Sequence, residues 1–142
     1  MKDREAERDE LIKITNNLPP VLSLSDFVLE QLVALDVKNY QIEGGILTAV
    51  GLYKNEKVAI VLISTPGGGA VMPLHAHDED EWFAQISGRC EVTIDGGRPK
   101  RLLYKDWVFI PAKTPHVVKY IEPGKQWVIT MPANPDFPEG RR

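Results

Sequence analysis

Cysteine is almost absent from this chain: Cys90 is the only one among 142 residues. It has no partner for an internal disulfide and cannot build a Cys-rich zinc site, so the expected compartment is the reducing cytoplasm. Histidine is nearly as scarce, with three residues. Basic side chains are outnumbered 17 to 20, leaving a net charge of −3. Phosphate binding needs a concentrated basic surface, so no nucleic-acid partner is expected. No apolar run reaches the length of a membrane span, and no apolar stretch follows the charged start Met1-Lys2-Asp3-Arg4-Glu5. Neither a membrane segment nor a secretory leader is expected. What is present is ordinary for a folded domain: 43% hydrophobic and 26% charged residues, in a length that lets one domain hide roughly 70% of its unfolded surface.

Eleven glycines and eleven prolines point to many turns and short strands. Residues 1–17 are charge-dense, with Glu5 and Arg8, and Glu10 and Lys13, at helical spacing, and Pro19-Pro20 closes that segment. A short amphipathic helix is expected from Ser23, where Ser23 and Asp26 have capping-box spacing ahead of Phe27, Val28, Leu32 and Val33. Too few residues come after it for a three-helix DNA reader. After Gly44-Gly45 the pattern becomes β-branched. Strands are expected over 46–53, 57–64, 70–77, 81–87, 89–94, 98–103, 106–110, 116–121 and 126–131, with Lys54-Asn55-Glu56 and Asp95-Gly96 as hairpin turns. This spacing implies an antiparallel sandwich or barrel. The prolines of 132–138 exclude a central strand, leaving an extended tail that lies over a neighbouring surface.

The three histidines are His75, His77 and His116. The first two alternate on one predicted strand and therefore face the same way. Glu81 comes next with matching parity after the acidic corner Asp78-Glu79-Asp80. Neutral imidazoles with one carboxylate suit a first-row transition metal, provided His116 crosses to the same pocket. Strand parity places Phe83 and Gln85 on the face of Glu81, and Val71 and Pro73 inward with the histidines, while Met72 and Leu74 point outward. Tyr120 lies four residues after His116, again on its face. Gln85, Phe83 and Tyr120 are thus the pocket candidates. Gly67-Gly68-Gly69 lacks the Lys-Ser/Thr of a phosphate loop and reads as a turn, and Cys90 reads as a small core residue. No serine sits in a nucleophile-elbow pattern.

The spacing Gly69-x5-His75-x-His77-x3-Glu81-x6-Gly88 resembles the first motif of the cupin superfamily at every fixed position, and Asp106-x4-Pro111-x4-His116 resembles the second. Lys105 and Lys113 stand where that motif usually has glycine, and Tyr120 where it has asparagine. The resemblance implies an all-β fold, an antiparallel jelly-roll β-barrel over 46–132. A short N-terminal helical or extended segment (1–45) would pack on it, and a Pro-rich tail (133–142) would complete the chain. It also implies a divalent transition metal (Fe, Mn, Ni or Zn) held by His75, His77, Glu81 and His116, and a homodimer. Apolar residues on both faces of several strands point the same way, with Trp82, Ile86 and Trp107 as candidates for a covered outer face.

Two function classes remain. One is a metal-dependent enzyme acting on a small molecule, dioxygenase-like, with Tyr120 and Glu81 as the candidate catalytic residues. The other is a non-catalytic ligand-binding or sensory module with a structural metal. The motif itself does not choose between them.

Overall fold

The structure is a computed structural model that describes residues 36–140. The helices expected within residues 1–35 lie outside the described residues. Among the described residues ten strands run in order: β1 (Asp36–Ile42), β2 (Gly45–Lys54), β3 (Ala59–Thr65), β4 (Ala70–His75), β5 (Asp80–Ser87), β6 (Cys90–Ile94), β7 (Lys100–Leu102), β8 (Trp107–Ile110), β9 (His116–Tyr120) and β10 (Gly124–Met131). They build two antiparallel sheets, one ordered β1-β2-β3-β10-β5-β8 and the other β4-β9-β6-β7. The expected all-β antiparallel barrel is what the chain adopts.

Nine of the ten strands fall where the sequence pattern predicts them, with ends moved by a residue or two. Strand pairing, however, already begins at Asp36: β1 pairs with β2 from Asp36↔Gly51 to Ile42↔Gly45. Its pattern hides it. As an edge strand it is exposed along most of its length and has no apolar alternation to read.

The barrel interior is packed by Leu47, Ala49, Val61, Ile63, Phe83, Val92, Val108, Ile110, Val118 and Val128, all at most 5% exposed. These come from both sheets, as facing layers require. The six-stranded sheet has a second apolar face built from Leu52, Ile60, Ala84, Trp127 and Ile129. Those side chains are also buried within the single chain. Of the residues expected to face a partner subunit, Trp82 and Ile86 are half-buried against this face and Trp107 is exposed.

Two turns hold the strands that carry the histidines and Glu81 in place. Asp95 and Gly96 both take positive φ, as their hairpin demands. The loop after β8 closes with Thr114 N–H on Pro111 C=O (3.3 Å) and puts Lys113 at φ 62°. That backbone lets Lys113 N–H donate to His77 C=O at 2.6 Å, while Ala112 N–H donates to Asp80 Oδ1 at 2.8 Å. The segment leading to His116 is in this way pinned to the corner between His77 and Glu81.

Candidate metal centre

His116, from β9, pairs directly with His75 across β4 and β9. His77 lies just beyond β4, and Glu81 enters from β5 in the opposite sheet. The structure brings the three histidines together: one ring nitrogen from each of His75, His77 and His116 lies within 4.8 Å of the others, a group that does not include Glu81. Glu81 Oε1 stands 3.1 Å from His77 Nε2.

Each imidazole is oriented by its other nitrogen. His75 Nδ1 donates to Pro73 C=O (2.7 Å), His77 Nδ1 to Glu79 C=O (3.0 Å) and His116 Nδ1 to Thr114 C=O (2.8 Å). A carbonyl only accepts, so all three Nδ1 atoms carry hydrogen and the lone pair of each neutral ring sits on Nε2. This is the orientation a metal-ligating histidine takes, with its outer nitrogen held by a second group. His116 is driven below the ordinary histidine pKa by burial, which favours the neutral ring. His77 is driven the other way, chiefly by its hydrogen bond to Glu81 and against the effect of burial. Nε2 of His77 and the Glu81 carboxylate are both acceptors, so their 3.1 Å contact needs a positive charge between them. A proton supplies it, or a divalent cation. The donor set fits such a cation.

The site opens into a chamber of about 400 Å³, lined by His75, His77, Glu81 and His116 together with Leu47, Ile63, Met72, Phe83, Val118, Tyr120 and Val128. That volume suits a small organic molecule. Phe83 and Tyr120 line it, as their parity predicts. Burial of the Tyr120 phenol pushes its pKa up, so it remains a neutral donor.

Two expectations are corrected by the structure. Gln85 points inward but lies off the chamber: it is fully buried, with its amide donating to Ser87 C=O and accepting from Cys90 Sγ. Its polarity is satisfied inside the closed part of the barrel. On β4 the expected parity fails at two positions, with Met72 lining the chamber and Pro73 exposed, while Leu74 is exposed as expected. The register shifts between Met72 and His75, and a bulge of this kind breaks the two-residue count. Cys90 is buried, as expected, and burial pushes its thiol up to about 12, so it is no nucleophile.

The two-sheet barrel and its histidine cluster agree with the sequence motifs, and residues 61–127 match the family model of the cupin domain. The chain contains a cupin domain. Among solved structures it is similar to an RmlC-like cupin from Shewanella frigidimarina, with 27% identity over 70% of this chain and 87% of that one, at a TM-score of 0.62. KdgF from Halomonas sp. is similar in fold at 23% identity, covering 70% and 89% of the two chains, with a TM-score of 0.61. Oxalate decarboxylase of Bacillus subtilis, a protein with Mn(II) centres, shares 26% identity over 72% of this chain but only 29% of its own, at a TM-score of 0.58. No curated protein matches the chain.

The sequence pattern left out one wall of this cupin's chamber, which Tyr40, Asn134, Asp136 and Phe137 supply. The tail after β10 folds back over its own barrel. Asn134 N–H donates to Thr130 Oγ1, and Asn134 Oδ1 accepts from Asp136 N–H. Tyr40 donates to Asp136 C=O at 2.7 Å and Lys54 to Phe137 C=O at 2.9 Å. Turn chemistry was visible in Asn134-Pro135-Asp136. Its destination was not, because the contacts of Tyr40 and Lys54 with the tail span 96 and 83 residues of chain.

Proposed function

We propose that this cupin holds one divalent transition metal through His75, His77, Glu81 and His116 and acts on a small organic molecule in the adjoining chamber, as a dioxygenase-like or other metal-dependent enzyme. The observation that carries the reading is the common orientation of the three imidazoles, each with Nδ1 tied to a backbone carbonyl. The metal would supply Lewis acidity and open coordination positions. The protein's part is to orient and to exclude water. Apolar walls at Leu47, Ile63, Phe83 and Val128 leave a ligand few competing hydrogen bonds. Tyr120, neutral and facing the chamber, donates a hydrogen bond to the ligand. Glu81 and His77 hold a shared proton when no cation takes its place. The reading also includes a homodimer and a cytoplasmic location, where Cys90 stays a thiol.

Elemental analysis of the purified protein, then anaerobic reconstitution with Fe(II) and oxygen-uptake screening, tests this. About one metal per chain is expected. His77→Ala should lower that stoichiometry well below Lys119→Ala, whose side chain is exposed on β9. Oxygen uptake that needs both the metal and an organic substrate supports the enzyme. Full occupancy with no uptake across the screen moves the reading to a ligand-binding module, and a stoichiometry indifferent to His77→Ala rejects the site.

A further inference from the structure

Most hydrogen-bond donors that line the chamber are already engaged. The three imidazole Nδ1 atoms are tied to backbone carbonyls, and Tyr40 donates to Asp136 C=O. Among the described residues no lysine or arginine lines the space. Asn134 is different. It lines the chamber and is only 7% exposed. Its Oδ1 accepts from Asp136 N–H at 2.9 Å, which fixes which end of the amide is oxygen and leaves Nδ2 with two N–H donors. Nδ2 meets no acceptor among the described residues. The sealed side-chain atoms without a partner there are Arg89 Nε, both amide atoms of Gln126 and Trp127 Nε1. Asn134 Nδ2 is not one of them, so it keeps solvent-accessible surface in a side chain that is otherwise buried. Its position is set by the strands. Asn134 N–H donates to Thr130 Oγ1 at 3.0 Å, and Thr130 pairs directly with Glu81 across β10 and β5. Opposed residues of an antiparallel pair share a face, so Asn134 is anchored on the residue beside Glu81. Tyr120, the other unengaged donor, stands four residues along β9 from His116.

Resting on the proposed metal centre, we propose that Asn134 is a ligand-binding residue of that centre, its Nδ2 donating to an oxygen through which the ligand's head binds the metal. The class of ligand follows. An amide N–H only donates, so the head must present an acceptor oxygen with a lone pair to spare, as a carbonyl, hydroxamate or phenolate oxygen does. A hydrogen bond to such a charged oxygen is stronger than one to a neutral group. A head that coordinates through nitrogen and keeps only an N–H gains nothing from Asn134.

The test uses the zinc-loaded full chain, because Zn(II) is redox-silent and lets a ligand bind without turnover. Two probes are titrated calorimetrically: acetohydroxamate, which coordinates through oxygen, and free imidazole, which coordinates through one nitrogen and keeps only an N–H. Asn134→Asp retains an oxygen for Asp136 N–H and removes both Nδ2 hydrogens. Asn134→Ser also offers Asp136 N–H an oxygen, and adds no charge. Both variants should fold and keep their zinc. In each, acetohydroxamate should bind about tenfold more weakly, the scale of one hydrogen bond to a charged group, while imidazole stays within about threefold of the wild type or binds tighter. Equal losses for the two probes overturn the proposal, as does an unchanged hydroxamate affinity in either folded variant. Zinc-loaded wild type that binds no acetohydroxamate also overturns it, and loss of folding in both variants assigns Asn134 to the tail's turn instead. A separate zinc titration keeps the outcomes distinct: zinc that fails to bind the wild type, or binds regardless of His77→Ala, defeats the metal reading itself.

Discussion

Lys105 and Lys113 carry the plainest residue-scale cost in this molecule. Both hold positive φ, 75° and 62°, where the cupin motif usually has glycine. Each is the third residue of a turn closed by a backbone hydrogen bond, Asp106 N–H to Leu103 C=O and Thr114 N–H to Pro111 C=O. A side chain in that conformation costs about 1–2 kcal/mol, and glycine gives some of this back as added freedom of the unfolded chain. Lys105→Gly and Lys113→Gly should each stabilise the protein by about 0.5–1 kcal/mol, a rise of roughly 2–5 °C in Tm. Lys119→Gly, within β9, should do the reverse. Thermal unfolding of the three variants decides it, and a fall in Tm for both turn variants would mean that the lysine side chains contribute more there than the backbone loses. The same two positions show what was legible in single residues. The histidine cluster could be read because histidine is so scarce that every one of the three falls on a motif position. The Nδ1 contacts that aim the rings could not, since they run to carbonyls whose direction only the folded loops set.

At the scale of the element, legibility depends on whether a strand keeps its period. Along β9 it does: His116, Val118 and Tyr120 are all buried on one face, so the place of Tyr120 beside the chamber follows from counting by twos. Along β4 it does not, and the shift between Met72 and His75 exchanges the neighbours of the histidines. No residue in Met72-Pro73-Leu74 announces a bulge beyond the proline, which lacks a ladder N–H. β1 was illegible for a different reason, because an exposed edge strand needs no apolar side. The unbroken period of β9 gives Tyr120→Phe a sharp expectation. The ring volume is kept and only the hydroxyl is removed, so metal content and Tm should change little. Substrate turnover or ligand affinity should fall several-fold, the size of one hydrogen bond of about 1 kcal/mol. Loss of stability with unchanged activity would assign Tyr120 to packing instead.

For the molecule as a whole, the outer face of the six-stranded sheet decides whether one copy suffices. Trp127, Ile129, Ile60, Leu52 and Ala84 are already buried within the chain, and Trp82 and Ile86 are half-buried against them. Of the residues expected to face a partner, Trp107 keeps 43% of its surface exposed, and Phe109 beside it 40%. Both lie on β8, which among the described residues is an edge strand of that sheet paired with β5, and the Phe109 ring lies tilted at 4.6 Å from that of Trp82. An edge with two exposed aromatic rings invites a second strand. Four residues of β8 alone are too few for a stable contact, which buries on the order of 1,000 Å² in total, so the flanking surface must join it. The proposed homodimer therefore centres on β8. Sedimentation at micromolar concentration should give the mass of two chains. The double variant Trp107→Lys with Phe109→Lys places two like charges at the edge and should give one chain, with its metal stoichiometry intact because neither residue touches the histidines. A wild type that sediments as a monomer removes the dimer from the reading, and a double variant that stays dimeric moves the interface away from this edge.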